Sequence, residues 1–148
     1  MFKNILIPTD GSRLSLKGAK TGVRLAKALG ARVTAVYVMP PFMPIAYGDA
    51  AVYVPALSPQ AYKQSSEKAA RQALGVVESE AKKAGVRCKS RFVTAAQVHE
   101  GVLRVARGEK CDAISMASHG RGGLVGVLLG SETTRVLAHS KLPVLVTR

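Results

Sequence analysis

Short apolar runs alternate along the chain with longer stretches in which apolar residues recur every three or four positions. That alternation predicts a repeated strand–helix order. From Lys3 to Pro8 a short apolar run closed by proline predicts a buried parallel strand. Asp10-Gly11-Ser12 then offers a turn and a helix cap, and from Ser12 to Leu29 the residues Leu16, Ala19, Val23 and Ala26 mark one helical face. Gly30 is expected to end that helix. A second strand is predicted from Arg32 to Met39, stopped by Pro40-Pro41. The stretch carrying Pro40, Pro41, Pro44, Pro55 and Pro59 is too rich in proline for regular structure and long enough for a functional flap. Ser58-Pro59 matches a cap followed by proline at the first helical position. The helix it opens should reach Ala84, with Ala70, Ala73, Val77, Ala81 and Ala84 turned inward and Gly85 closing it.

The second half repeats the pattern. Val86 to Val93 predicts a third strand, and Thr94-Ala95-Ala96-Gln97 has the spacing of a capping box. The next helix should bury Val98, Val102 and Val105, with Gly108 after it. Ala113 to Ala117 predicts a fourth strand, Ser118 to Leu129 a glycine-rich loop, Ser131 to His139 a helix, and Pro143 to Thr147 a fifth strand. Strands that alternate with helices require right-handed crossovers, hence a parallel sheet covered on both faces. The expected fold is a single doubly wound α/β domain over residues 1–148.

Composition changes this picture little. With 148 residues, 47% hydrophobic and 21% charged, the chain is long enough for one core without disulfides or structural metal. The apolar run from Gly122 to Gly130 is too short to span a bilayer, and the opening apolar segment, ended by Pro8, is too short to be expected to act as a signal peptide. Cys88 and Cys111 lie far apart with no CxxC, which predicts free thiols and a cytoplasmic protein. The net charge of +13 does add something, since it favours anionic partners. The charges are spread along the chain, aromatics are only 5%, and no helix-turn-helix, RNP or zinc pattern occurs. Specific nucleic-acid recognition and membrane binding are therefore not expected. Arg13, Lys17, Lys20, Arg24 and Lys27 share one face of the first helix and are expected to be exposed.

In an open α/β sheet, ligands bind outside the carboxyl ends of the strands, near the switch point of strand order. The segments expected there are Pro8-Thr9-Asp10, Val38-Met39, and Met116 to Gly120. The glycine-rich loop leads into a helix starting at Gly130-Ser131, which is a design for phosphate: free N–H groups at the positive end of a helix dipole. Neither GxxxxGK[ST] nor GxGxxG is present. Hydrolytic chemistry lacks its usual pairs, because Asp10 stands alone after the first strand and His119 has no partner in sequence. Asp10 could equally cap the first helix, and Ser131 is a good N-cap with or without a ligand. His99 and His139 read as helix-surface or helix-end residues, and Cys111 as inert.

The opening Ile5-Leu6-Ile7-Pro8-Thr9-Asp10-Gly11-Ser12 resembles that of the universal stress protein family. So do the stretch from Cys111 to Gly120, the nine-residue spacer to Gly130-Ser131, and the ending Pro143-Val144-Leu145-Val146. The resemblance covers the whole chain and implies a sheet of order 3-2-1-4-5. Nucleotide-binding members carry Gly, two residues, Gly, nine residues, then Gly-Ser or Gly-Thr; here Ala117 stands in the place of the first glycine. The resemblance implies ATP as ligand, with Mg2+ held mainly by its phosphates. It places Asp10, with Pro8 and Thr9, on the ribose side and the backbone at Val38 and Met116 around the adenine. The phosphates would lie on the loop from Gly120 and on Gly130, Ser131, Glu132 and Thr133, with Ala117 in the same nucleotide-binding pattern; His119 and Arg121 are placed in that loop to orient or meet phosphate. It also implies a homodimer through antiparallel pairing of the strand Pro143 to Thr147. The leading expectation is an ATP-binding stress-response module with little or no turnover. The alternatives are a nucleotide-free member acting through protein contacts, and a slow metal-dependent ATPase using Asp10 and His119.

Overall fold

The computed structural model of the chain describes residues 1–43, 58–119 and 129–148. Most of the proline-rich flap and of the glycine-rich loop, Gly120 and Arg121 included, lies outside the described residues. Strands and helices alternate as β1 (Asn4–Pro8), α1 (Arg13–Leu29), β2 (Arg32–Met39), α2 (Pro59–Ala84), β3 (Cys88–Thr94), α3 (Val98–Gly108), β4 (Ala113–Ala117), α4 (Ser131–His139) and β5 (Val144–Thr147). They form a parallel sheet in the order β3-β2-β1-β4-β5, as expected.

β1 sits at the centre, and its residues Asn4 to Ile7 are wholly buried. Ile5 and Ile7 join Val33, Ala35, Val23 and Val77 in a core under α1 and α2. Leu6 joins Val36, Val102, Ile114 and Val136 in a second core under α3 and α4. The period-2 alternation of a strand thus feeds both faces of the sheet. α1 lies very close to β4. A Cβ built on Gly18 would stand 2.9 Å from the Ala117 backbone nitrogen, and one on Gly22 would stand 2.9 Å from Ser115 Oγ. Only a residue without a side chain admits that approach.

The helix ends carry the differences from expectation. Ser12 and Ser58 cap α1 and α2 through their hydroxyls. The spacing from Thr94 to Gln97 does not form a capping box: Thr94 is the last residue of β3, which starts two residues later than expected, and Gln97 is an N-cap with no side-chain bond. Val98 is exposed, while His99, expected outside, is buried. α3 also runs past the predicted stop. Glu109 is its C-cap, and Lys110 adopts the left-handed conformation at φ 53°. The five cations of α1 are exposed, as expected. Among the described residues, no helix is long and apolar enough to cross a membrane.

Asn4 ties three elements together. Its Oδ1 accepts a hydrogen bond from Thr34 Oγ1 at 3.0 Å, and its Nδ2 donates to the Glu109 carbonyl at 3.0 Å. Asn4→Ala would strand a buried hydroxyl and a carbonyl at the α3–β4 turn. We expect a loss of about 2–3 kcal/mol in urea unfolding; an unchanged midpoint would refute that role.

Candidate functional site

Two strands that run together at one end part at the other. β1 and β4 pair through Ile5↔Ala113 and Leu6↔Ile114. Beyond Leu6 they separate, while β1 stays with β2 as far as Pro8↔Val36. The crevice opens at the carboxyl edge, where strand order reverses, which is the expected location for a ligand in this architecture.

On the β1 side the chain turns at once into α1. Thr9 is buried, and its hydroxyl pairs with Ser15 Oγ at 3.1 Å while accepting the Gly11 N–H at 3.2 Å. Asp10 is half-buried, and its Oδ1 accepts the Ser12 N–H at 2.9 Å. The cap of α1 is Ser12, whose Oγ takes the Ser15 N–H, so Asp10 closes the turn ahead of the helix. From β2, Val38 reaches toward α3, with its methyls where a Cβ on Gly101 would fall. Met116 is buried in the core shared with Val38 and Val102. The side chains of both are committed to packing.

On the β4 side Ser118 is the anchor, a residue that the sequence places in the segment Met116 to Gly120 without a role of its own. Its N–H donates to the Thr147 carbonyl at 2.7 Å, and its own carbonyl accepts the Gly130 N–H at 2.7 Å. The start of α4 is thereby fastened to the end of β4. A Cβ on Gly130 would lie 3.1 Å from that same carbonyl and 3.3 Å from His119 Cα. Gly130, not Ser131, is the N-cap, and no side chain caps the helix. The first intrahelical bond runs from the Thr134 N–H to the Gly130 carbonyl. The N–H groups of Ser131, Glu132 and Thr133 therefore have no partner among the described residues.

The side chains of that first turn do different work. Ser131 is exposed. Thr133 is buried, and its hydroxyl donates to the Ala117 carbonyl at 3.1 Å, a second stitch between α4 and β4. Glu132 points to α3, where its Oε2 accepts the His99 N–H at 2.9 Å and its Oε1 meets Arg135 at 2.6 Å. This carboxylate supplies the cap that Gln97 does not. The His99 ring stands beside it, with Nδ1 3.5 Å from Oε2, and lies 5.1 Å from the His139 ring. His119 is half-buried; its Nδ1 pairs with Ser118 Oγ at 3.0 Å, and its Nε2 is buried without a hydrogen-bond partner among the described residues.

Ala117 is the departure from the sequence pattern. Its φ is negative, so the position does not require glycine on conformational grounds. Its methyl is buried against Gly18 of α1. Among the described residues, the crevice thus holds one carboxylate, one imidazole and a set of N–H groups without partners. Among the described residues no group of three or more His, Cys, Asp or Glu could hold a metal. Burial holds the Cys88 thiol up at about 11 and also raises Cys111. Both remain protonated at neutral pH and are poor nucleophiles.

The family model described as "Universal stress protein family" matches residues 1–148. Universal stress protein MJ0531 of Methanocaldococcus jannaschii is 32% identical over all of this chain and 83% of its own length. The solved structure of MJ0577 superposes with a TM-score of 0.73 at 26% identity, covering 99% of this chain and 96% of that one. A universal stress protein in complex with cAMP superposes with a TM-score of 0.71 at 24% identity, covering 99% and 97%. One from Archaeoglobus fulgidus in complex with dAMP has a TM-score of 0.64 at 14% identity, covering 99% and 98%.

The bridging carboxylate gives a direct test of the site's construction. Glu132→Ala removes the acceptor for the His99 N–H, and stability should fall by about 1–2 kcal/mol, the usual worth of a helix cap. Glu132→Gln, which keeps an oxygen acceptor, should recover part of that loss in the same thermal melts.

Proposed function

The chain belongs to the universal stress protein family, and we propose that it binds an adenine nucleotide, specifically ATP, as a cytoplasmic stress-response module with little or no turnover. The observation that carries this reading is the start of α4. Three N–H groups without partners among the described residues lie there at the positive end of a helix. Gly130 is pressed against Ser118 so that no side chain intervenes. An anion is the natural complement of that arrangement. The cAMP and dAMP complexes of its structural neighbours support an adenine nucleotide.

In this reading the N–H groups of Ser131, Glu132 and Thr133 and the Ser131 hydroxyl take the phosphates. The unpartnered Nε2 of His119 supplies a further polar atom at the same mouth. Gly120 and Arg121 join them on the sequence pattern alone. Asp10 and the turn from Pro8 through Thr9 accept the ribose hydroxyls, and the backbone at Val38 and Met116 borders the base. Mg2+ would be held mainly by the phosphates and would screen their charge. The residues described here include no carboxylate paired with His119 to activate water, so turnover should be slow or absent.

Calorimetry with ATP and magnesium tests this directly, and no heat of binding at millimolar nucleotide would overturn it. Gly130→Leu should abolish binding, because its Cβ meets the Ser118 carbonyl and pushes α4 away from β4. Ser131→Ala should weaken binding by about 1.5–3 kcal/mol, the worth of one hydrogen bond to a charged group. Ala117→Gly should leave affinity unchanged, since the methyl lies against α1.

We further propose a homodimer through the strand Pro143 to Thr147. β5 is an edge strand, and Leu145 is 41% exposed on it. A sheet edge that carries an exposed apolar side chain invites pairing with a second copy. Sedimentation should give a dimer at micromolar concentration, and Leu145→Glu should shift it to monomer; a wild-type monomer would refute the assignment.

A further inference from the structure

At the edge of the sheet opposite the crevice, the C-terminal ends of α3 and α4 enclose a groove of about 540 Å³. That is within the range of cavities that hold organic ligands, roughly 300–1,000 Å³. Leu103, Cys111 and Leu142 contribute apolar surface, and Arg107, Lys110 and Lys141 contribute cations. We propose that this groove is a second ligand site, taking a free small organic anion whose phosphate or carboxylate head carries an apolar tail.

Charge is the first argument. The three cations are exposed, and their side chains have no ion-pair or hydrogen-bond partner among the described residues. Two helix C-termini offer roughly −0.5 each, far short of balancing them. The neighbouring carboxylates are already engaged: Glu109 pairs with Lys89 at 2.7 Å and Arg91 at 2.6 Å, and Asp112 accepts the backbone N–H groups of Lys3 and Asn4. No carboxylate lines the groove.

The second argument is backbone strain at one of those cations. α1 and α2 close on Gly30 and Gly85, with φ of 64° and 70°. At each, the glycine N–H bonds the carbonyl three residues back, and the following N–H bonds the carbonyl five residues back from itself. α3 closes with the same pair of bonds, from Lys110 to Arg107 and from Cys111 to Ala106, but with lysine at φ 53°. A lysine is strained where this fold otherwise uses glycine, and its side chain lines the groove. Stability has been given up at that position for a side chain, and the groove is where that side chain can act.

The test uses octyl phosphate on the full chain, followed by calorimetry and by amide shifts. Octyl phosphate should bind and move the amides of Leu103, Lys110 and Leu142 while leaving those of Ser131 to Thr133 in place. Octanol, without the head, and inorganic phosphate, without the tail, should each bind at least about tenfold more weakly. Lys110→Gly should raise the melting temperature by about 2–4 °C and still weaken octyl phosphate about tenfold. That pairing separates loss of a ligand contact from loss of fold. Lys141→Gln, which leaves the backbone unstrained, should weaken it as well. Unchanged affinity in both variants, or shifts confined to Ser131–Thr133, would overturn the proposal. Vesicles of phosphatidic acid and phosphatidylcholine should sediment wild type and Lys110→Gly equally. Vesicle binding lost in that variant would overturn assignment to a free ligand in favour of a bilayer surface.

Discussion

Everything in this molecule is fastened to β1, a strand that must be dry on both faces. Asn4, Ile5, Leu6 and Ile7 expose almost nothing, so each face needs its own pair of helices. Parallel crossovers of one hand deliver α1 and α2 to one side and α3 and α4 to the other. The same constraint creates the crevice. Chain leaving β1 must go to β2 on one flank, while β4 arrives on the other, and the two cannot stay paired as they feed loops of opposite destination. The parting of β1 from β4 beyond Leu6 is the geometric remainder of that choice. Asn4 then seals the other end, answering the Thr34 hydroxyl and the Glu109 carbonyl with one amide.

What the sequence made legible was whatever depends on near neighbours. Ser12, Ser58, Pro59, Gly30 and Gly85 act within one turn of themselves, and each stands where local spacing put it. The capping box at Thr94 failed for the complementary reason. Its true substitute, Glu132, lies 33 residues from the His99 N–H it accepts, and no local pattern marks such a pair. The same distance hid His99, which reads as a surface residue on its own helix but is covered once α4 arrives. Of the crevice, the switch-point segments and the Gly130 turn were legible, because strand ends and glycines announce themselves. Ser118 was not, although it joins β5 and α4 through its backbone. A role played by N–H and carbonyl groups leaves little trace in side-chain identity.

Ala117 shows how a motif can change while its geometry persists. A strand and a helix in this close contact have room for one Cβ between them at this level. Here the strand carries the methyl, and α1 carries the glycine at Gly18. A change at either position alone would be crowded or loose, and the pair has to be read together. Because the methyl faces α1, the departure at position 117 concerns helix packing more than access to the crevice.

The net charge of +13 acquires meaning from where helices end. Parallel α/β topology sends every helix antiparallel to its strands, so N-termini gather at the carboxyl edge and C-termini at the amino edge. The first edge is electropositive through its backbone, by N–H groups such as those that open α4. The second is electronegative in its backbone and can become an anion site only if cations outweigh the dipoles. Arg107, Lys110 and Lys141 supply that excess, one of them from a strained backbone position. The exposed cations of α1, by contrast, are spread along one solvated helix face. Surplus positive charge becomes specific only where shape confines it. In this fold confinement occurs at the two ends of the sheet, through peptide dipoles at one and side chains at the other.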